Sequence, residues 1–189
     1  IAHDLDSEAL GALRMALDGR PLLEQDAGYL ALRGAANVML RRYEEAEADL
    51  SKGALRGDDS AHIWRGYVAA ELGQWERAND FFKLGEELIF SYTDRWAARF
   101  YAKAAEAALQ TNELDRARQL ADRTGSYSER RPSEDAALVL ARLAEIKEGP
   151  EEAYKRYVGL TRDVSEPVAV QAELYKLDLG VKIGKISPL

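Results

Sequence analysis

The sequence contains no cysteine, only two histidines and no long uncharged hydrophobic run. Without cysteine the chain can form neither disulfides nor thiolate metal sites. Its uncharged apolar patches, such as Leu88–Tyr92, are far shorter than the roughly 18 residues of a membrane span. Basic residues are not in excess either, since 26 Lys and Arg stand against 33 Asp and Glu, for a net charge of −7. This balance argues against sequence-independent nucleic-acid binding, which requires phosphate neutralisation.

Residue types needed for common catalytic and metal sites do not occur in a suitable arrangement. The histidines, His3 and His62, are too far apart in sequence to suggest a zinc site, and we expect His62 to be an interhelical or exposed side chain. Adjacent acids such as Glu44 and Glu45 point about 100° apart on a helix, so they do not converge as a glycosidase requires. We therefore predict no catalytic residue, no metal and no cofactor, and we expect that the chain is not an enzyme.

The chain instead contains an internal repeat. The segment LRRYEEAEADL, which begins at Leu40, is followed 32 residues later by LGQWERANDFF. Apolar residues recur at three- and four-residue intervals in both copies, as the packed face of a helix requires. Each copy therefore predicts two helices joined by a short break. The matched pairs are Gly34/Gly66, Leu40/Leu72, Tyr43/Trp75, Glu44/Glu76, Ala46/Ala78, Leu50/Phe82 and Gly53/Gly85.

This pattern resembles the tetratricopeptide repeat, a helix–turn–helix unit of about 34 residues. The resemblance rests on a small residue in the first helix, a turn, an aromatic residue that opens the second helix, and an alanine followed by a large apolar residue. Weaker copies continue along the chain. The assigned repeat positions are Gly34, Tyr43, Ala46 and Leu50 in the first unit, Gly66, Gly73, Trp75, Ala78 and Phe82 in the second, Ala105, Asn112, Leu114 and Ala117 in the third, and Ala141 and Ala153 in the fourth.

The resemblance implies an all-α fold, a right-handed superhelix of about four to five helical hairpins. Residues 1–26 would form the helix of a preceding or partial repeat, and 170–189 the first helix of a partial fifth unit. The complete units are predicted at 27–58, 59–97, 98–133 and 134–169. Because the spacing grows after the second unit, we expect longer helices around Leu88–Phe100. We also read the ends of the sequence as cut from a longer protein.

Particular residues are expected to shape the hairpins. Gly73 and Gly184 should end their helices in the left-handed conformation, which Asn112 tolerates better than most residues. Arg41 stands where the pattern calls for glycine. Tyr43 and Trp75 should lie in the core.

In tetratricopeptide repeats the first helix of each hairpin lines the concave side. The resemblance implies an apolar anchor for a partner near Ile63 and Tyr67, and a more charged surface further along. The Lys and Asn residues by which one subclass grips a C-terminal carboxylate are absent. We therefore expect a non-catalytic scaffold that binds a protein or peptide, and not nucleic acid. The implied concave-face residues are Ala35, Ile63, Tyr67, Glu71, Arg99, Glu106 and Arg142.

An alternative is a structural spacer, or a segment that self-associates through its open repeat ends. It is suggested by the apolar end KIGKISPL, because a terminal repeat normally carries a polar cap. The chain is also similar to helical regions of large tetratricopeptide proteins of alphaproteobacteria, some of which are exported to the cell envelope. That similarity favours the periplasm slightly over the cytoplasm.

Overall fold

The computed structural model describes residues 4–127, 130–162 and 164–187. Within these ranges the chain forms α-helices and short 3-10 helices and no strand, which confirms the predicted all-α fold. Its internal contacts divide it into two compact units, residues 1–89 and 90–189, which we call the N-terminal and C-terminal units. Three residues that the sequence analysis names, alone or within the segment KIGKISPL, lie outside the described residues: His3, Pro188 and Leu189.

The N-terminal unit is built from two helical hairpins preceded by one helix. Helices α2 and α3 pack as one hairpin and α4 and α5 as the next, while α1 packs on α2 and α3 on α4. The hairpins begin at the residues predicted as starts of the first two units. The bounds are α1 Asp4–Gly19, α2 Ala27–Met39, α3 Tyr43–Leu50, α4 Asp59–Glu71 and α5 Trp75–Gly85, with 3-10 helices at Pro21–Gln25, Gly53–Leu55 and Glu86–Ser91.

The C-terminal unit continues the pattern. Its helices α6 and α7 form one hairpin, α8 and α9 another, and α10 packs on both α8 and α9. The first helices α6, α8 and α10 begin four residues before the predicted boundaries at 98, 134 and 170. The bounds are α6 Asp94–Gln110, α7 Leu114–Thr124, α8 Arg130–Lys147, α9 Pro150–Gly159 and α10 Glu166–Lys182.

The expected lengthening is confirmed for α6, which has 17 residues where α2 and α4 have 13, but the residues directly after α5 do not join it. They form the separate 3-10 helix Glu86–Ser91, and α6 then begins anew at Asp94. The carboxylate of Asp94 lies in the first turn of α6, where the partial positive charge of a helix N-terminus favours an acid. The local sequence therefore starts a new helix instead of extending one.

Four first helices end in the same turn. The turn residue has positive φ in each case: 58° at Arg41, 72° at Gly73, 62° at Asn112 and 72° at Gly184. After α2, the Arg41 N–H donates to Val38 O and the Arg42 N–H to Asn37 O, both at 2.9 Å.

The equivalent pair of bonds follows α4, α6 and α10, and this is the Schellman motif. The expected left-handed ends at Gly73, Asn112 and Gly184 are thus confirmed. Arg41 adopts the same conformation despite its Cβ. Helix α8 ends differently, with Gly149 at φ 100° directly before Pro150 of α9.

The repeated glycines let the helices of each hairpin approach closely. A Cβ built on Gly34 would lie 2.7 Å from Leu50 Cγ, and one on Gly66 would lie 3.0 Å from the Phe82 ring. These are the same repeat pairs that match in the sequence. The alanines at the matching second-helix positions, Ala46, Ala78, Ala117 and Ala153, are all fully buried.

The aromatic residues that open the second helices are less buried than predicted. Tyr43 and Trp75 are half-buried, so the expectation that they lie in the core is too strong. Each is the first residue of its helix. Neither ring can contribute the full burial energy of a core aromatic side chain.

Two arginines donate hydrogen bonds to neighbouring elements inside the N-terminal unit. Arg33 Nε donates to Asp49 Oδ2 at 2.8 Å, and this bond raises the pKa of the Arg33 guanidinium above its usual value. Arg65 is buried and donates to the carbonyl oxygens of Leu50 at 2.7 Å and Leu55 at 3.0 Å. Arg65 thereby joins the first helix of one hairpin to the end of the preceding hairpin.

Candidate interaction groove

The C-terminal unit contains a groove of about 430 Å³ formed by the first helices α6, α8 and α10. Each helix contributes residues spaced three, four or seven positions apart, which places them on one helical face. The groove is therefore a direct product of the helical pattern. Its lining consists of Lys103, Glu106 and Gln110 from α6, Asp135, Leu138, Val139 and Arg142 from α8, and Gln171, Leu174 and Tyr175 from α10.

The charges that line the groove are balanced. Two basic residues, Lys103 and Arg142, accompany two acidic residues, Glu106 and Asp135. Lys103 Nζ lies 3.1 Å from Glu106 Oε2, and both side chains are about three-quarters buried, with 24% and 28% exposed. Each of these two side chains keeps part of its surface exposed to solvent.

One wall of the groove combines apolar and aromatic surface. Leu174 is 62% exposed, although it is a large apolar residue. Beside it on α10, the Tyr175 ring carries the Arg142 guanidinium, whose Cζ lies 5.4 Å from the ring centroid. Stacking of this kind restrains the guanidinium in one orientation. Arg142 is therefore held ready to pair with a carboxylate.

A buried tyrosine supports this wall from below. The Tyr157 ring stacks on Tyr175 with a centroid separation of 5.4 Å, and Tyr157 is fully buried. Its hydroxyl donates to Glu145 Oε2 at 3.1 Å. Burial, together with the Glu145 carboxylate, raises the pKa of Tyr157 well above its usual value. The hydroxyl stays protonated at physiological pH and keeps the Tyr175 platform in place.

The groove brings together two of the residues predicted for the concave face. Glu106 of α6 and Arg142 of α8 both line it. Arg99 is not among the lining residues, and its guanidinium instead stacks on Trp96 at 5.0 Å. Sequence reasoning missed Lys103, Leu174 and Tyr175. For α10, the recurrence of apolar residues at three- and four-residue spacing in the sequence could have indicated an apolar surface.

The predicted residues of the N-terminal unit have a different outcome. Ala35, Tyr67 and Glu71 are half-buried on α2 and α4. Ile63 is fully buried, and a Cβ built on Gly85 would lie 2.7 Å from Ile63 Cγ1. Ile63 therefore belongs to the interface between α4 and α5 and has no surface to offer. The prediction that it anchors a partner is wrong.

His62 is half-buried, stacks on the Phe81 ring at 5.9 Å, and lies 3.4 Å from Arg65 Nη1 through its Nδ1 atom. In the part of the chain that the structure describes, no three His, Asp or Glu side chains are placed to hold a metal ion. No helix in those same ranges combines the length and hydrophobicity that crossing a bilayer requires.

No protein-family model matches the chain, and no curated protein sequence matches it significantly. A function for this chain is therefore inferred from the geometry of the groove.

Proposed function

We propose that the chain is a non-catalytic interaction scaffold that binds a segment of another protein in the groove of its C-terminal unit. The observation that carries this proposal is the convergence of Glu106, Arg142 and the exposed Leu174 on one groove. Sites for small ligands are lined predominantly by hydrophobic side chains. This lining is mostly polar and holds charges of both signs, which suits a polypeptide with its own charged and apolar side chains.

The lining also specifies what such a segment should carry. Arg142 presents a planar fork of donors, so a ligand carboxylate is its natural partner. An apolar ligand side chain beside it would cover the exposed Leu174. Arg and Tyr are also the residue types that most often dominate binding energies. We propose a peptide or helix that pairs an acidic side chain with an apolar one.

The wider architecture that we propose is the tetratricopeptide superhelix, in which hairpins stack and first helices line the concave side. It is supported by the four Schellman turns and by the repeated Gly34/Leu50 and Gly66/Phe82 contacts. It is also supported by the contacts of α8 with both α6 and α10, since these are the first helices of successive hairpins.

The experiment selects short peptides from a random display library on the intact chain and measures their affinity by isothermal titration calorimetry. Arg142→Glu should weaken an acidic peptide at least tenfold, as expected when attraction of about 1.4 kcal/mol or more becomes repulsion. Arg118→Glu is the matched control, since Arg118 is 60% exposed on α7 and does not line the groove. Tyr67→Ala tests whether α4 takes part.

Circular dichroism checks that each variant keeps its helicity. If Arg142→Glu and Glu106→Lys both bind the selected peptides as tightly as the parent chain, the groove is not the binding site. A structural spacer that self-associates is the second candidate, and it is favoured by the apolar surface of α10. The periplasmic location and the absence of catalysis stay predictions.

A further inference from the structure

Helix α10 is preceded by a serine whose hydroxyl does not cap its own helix. Ser165 stands directly before the first helical residue, and its side chain makes no capping hydrogen bond to α10. Its hydroxyl donates instead to Glu134 Oε2 of α8, and its backbone N–H donates to the same oxygen at 3.0 Å. Two donors at the start of α10 thus meet one carboxylate oxygen of α8, 31 residues earlier in the chain.

The first helices of the N-terminal unit begin differently. Asp26 precedes α2, and its carboxylate accepts from the Tyr29 N–H at 2.8 Å. Asp58 precedes α4 and accepts from the Ala61 N–H at 3.1 Å. In both helices the capping side chain satisfies a donor of its own first turn. The contact between α10 and α8 is therefore not a general feature of the repeat.

The sequence of the first turn of α10 explains the difference. A capping side chain normally accepts from the N–H of the second or third helical residue. In α10 the second residue is Pro167, which has no N–H, and the third is Val168, whose N–H donates to Ser165 O at 3.0 Å. Because neither usual donor needs the cap, the Ser165 hydroxyl can donate to α8.

The acceptor of these bonds is a buried carboxylate. Glu134 is only 8% exposed, and burying a charged group is costly unless hydrogen bonds compensate for the lost water. The two bonds from Ser165 supply part of that compensation. The partial positive charge at the start of α10 also favours a carboxylate there. Both effects hold the start of α10 against α8.

This contact lies beside one end of the groove. Asp135, the residue after Glu134, lines the groove. Gln171 lines it from α10 and lies about 9 Å along that helix from Ser165, at 1.5 Å per residue. We call the part of the groove that Asp135 and Gln171 line the Asp135 end. The position of the start of α10 relative to α8 therefore determines the width of this end.

Different contacts hold the opposite part of the groove, which we call the Arg142 end. Tyr175 lies about 15 Å along α10 from Ser165. Its ring stacks on Tyr157 of α9 and carries the Arg142 guanidinium, at 5.4 Å in each case. The α10 wall is thus fixed twice, by aromatic stacking at the Arg142 end and by the Ser165 bonds at the Asp135 end.

We propose that Glu134 is a positioning residue of the groove, which acts through Ser165 to set the separation of α8 and α10 at the Asp135 end. This inference rests on the proposed function, since it concerns how the groove holds a bound segment. A segment that pairs with Arg142 and extends to the Asp135 end contacts both parts of the groove. Loss of the Ser165 hydroxyl weakens the contacts at the Asp135 end and leaves those at the Arg142 end intact.

Peptides of two lengths test this proposal on the intact chain. The long form is a library-selected peptide whose affinity falls in both Arg142→Glu and Gln171→Ala. The short form is the same peptide, truncated until Gln171→Ala no longer affects it. In isothermal titration calorimetry, Ser165→Ala should weaken the long form by roughly fivefold or more and the short form by less than about twofold. Ser165→Thr keeps the hydroxyl and should restore the affinity of the parent chain.

Two further variants separate positioning from folding. Glu134→Gln keeps an acceptor oxygen but loses the charge that strengthens its hydrogen bonds, so it too should weaken the long peptide selectively. Ser126→Ala is the matched control, because it removes an exposed hydroxyl bond to Arg123 O, of 2.8 Å, and Ser126 does not line the groove. It should leave both peptides unaffected. Circular dichroism checks that every variant is fully folded during the titrations.

Hydrogen exchange of the peptide-free chain tests the positioning without a ligand. In Ser165→Ala the amides of residues 168–171 should exchange roughly threefold faster or more, and those of residues 176–180 should be unchanged. Unchanged exchange at the start of α10 overturns the proposal. So does equal weakening of the long and short peptides, or a library that yields no peptide dependent on Gln171. A parent chain that binds no peptide overturns the proposed function instead, and faster exchange would still show that Glu134 holds the start of α10.

Discussion

Replacing Arg41 by glycine should stabilise the chain, because the backbone there already has the conformation that glycine prefers. Arg41 has φ 58° in a turn whose equivalents after α4 and α10 are glycines. A non-glycine residue in the left-handed region costs about 1–2 kcal/mol. Glycine also has more conformational freedom than arginine in the unfolded chain, and this entropy lowers the expected stabilisation by about 0.4–1 kcal/mol. The side chain of Arg41 is exposed, so little packing is lost. We expect Arg41→Gly to raise the free energy of unfolding by about 0.5–1 kcal/mol.

Urea denaturation followed by circular dichroism measures this change. With a slope of about 1–3 kcal/mol per molar urea, the midpoint should rise by about 0.2–1 M. Arg41→Ala separates backbone from side chain, because alanine keeps the Cβ and should leave the midpoint almost unchanged. Gly73→Ala, the reciprocal change in the next hairpin, should lower stability by about 1 kcal/mol. Equal midpoints for Arg41→Gly and Arg41→Ala would refute the reasoning.

Further variants test the close contacts of the N-terminal unit. Gly85→Ala should lower the free energy of unfolding by about 1–2 kcal/mol in urea melts, because the new Cβ would lie 2.9 Å from the Asp59 carbonyl oxygen. Gly53 occupies the matching repeat position but has open space around it, so Gly53→Ala should be tolerated. Arg65→Ala should lower the free energy of unfolding by about 2–4 kcal/mol, because it leaves two carbonyl oxygens without their hydrogen-bond donor. Arg77→Ala removes only the exposed Arg77–Glu47 ion pair, so it should change the free energy of unfolding by less than about 1 kcal/mol. Similar losses for Arg65→Ala and Arg77→Ala would contradict the buried role. Trp75→Ala should destabilise by about 1–2 kcal/mol, below the range for buried tryptophans, because Trp75 is half-buried.

The hairpin turns were well predicted by the sequence because their physical requirement is local. A left-handed helix end favours glycine or asparagine, so Gly73, Asn112 and Gly184 could be placed directly. Arg41 violates that preference, yet the 32-residue register assigned it to the same position as Gly73. The structure gives it the same conformation. Repeat register therefore located this turn where residue type alone would have missed it.

The partner-facing side of a helix was predicted less well, because it depends on packing. Ile63 and Tyr67 lie only about 40° apart around α4, since four residues exceed one helical turn by that angle. Ile63 is nevertheless fully buried, whereas Tyr67 is half-buried. The boundary between the hairpin interface and the open face falls between them. Periodicity alone does not fix such a boundary to within one residue.

The groove residues from α10 were missed for a related reason. Leu174 and Tyr175 lie in the predicted first helix of the partial fifth unit, for which no groove residue was predicted. Both residues line the groove together with residues of α6 and α8. By contrast, Glu106 and Arg142 were found because the resemblance to tetratricopeptide repeats implies that their positions on the first helices face the concave side.

The exposed side of α10, which includes Leu174, also has a consequence for amide hydrogen exchange. A helix packed on one side opens locally at a lower free energy than one enclosed on two sides, so the amides of α10 should exchange sooner than those of α6.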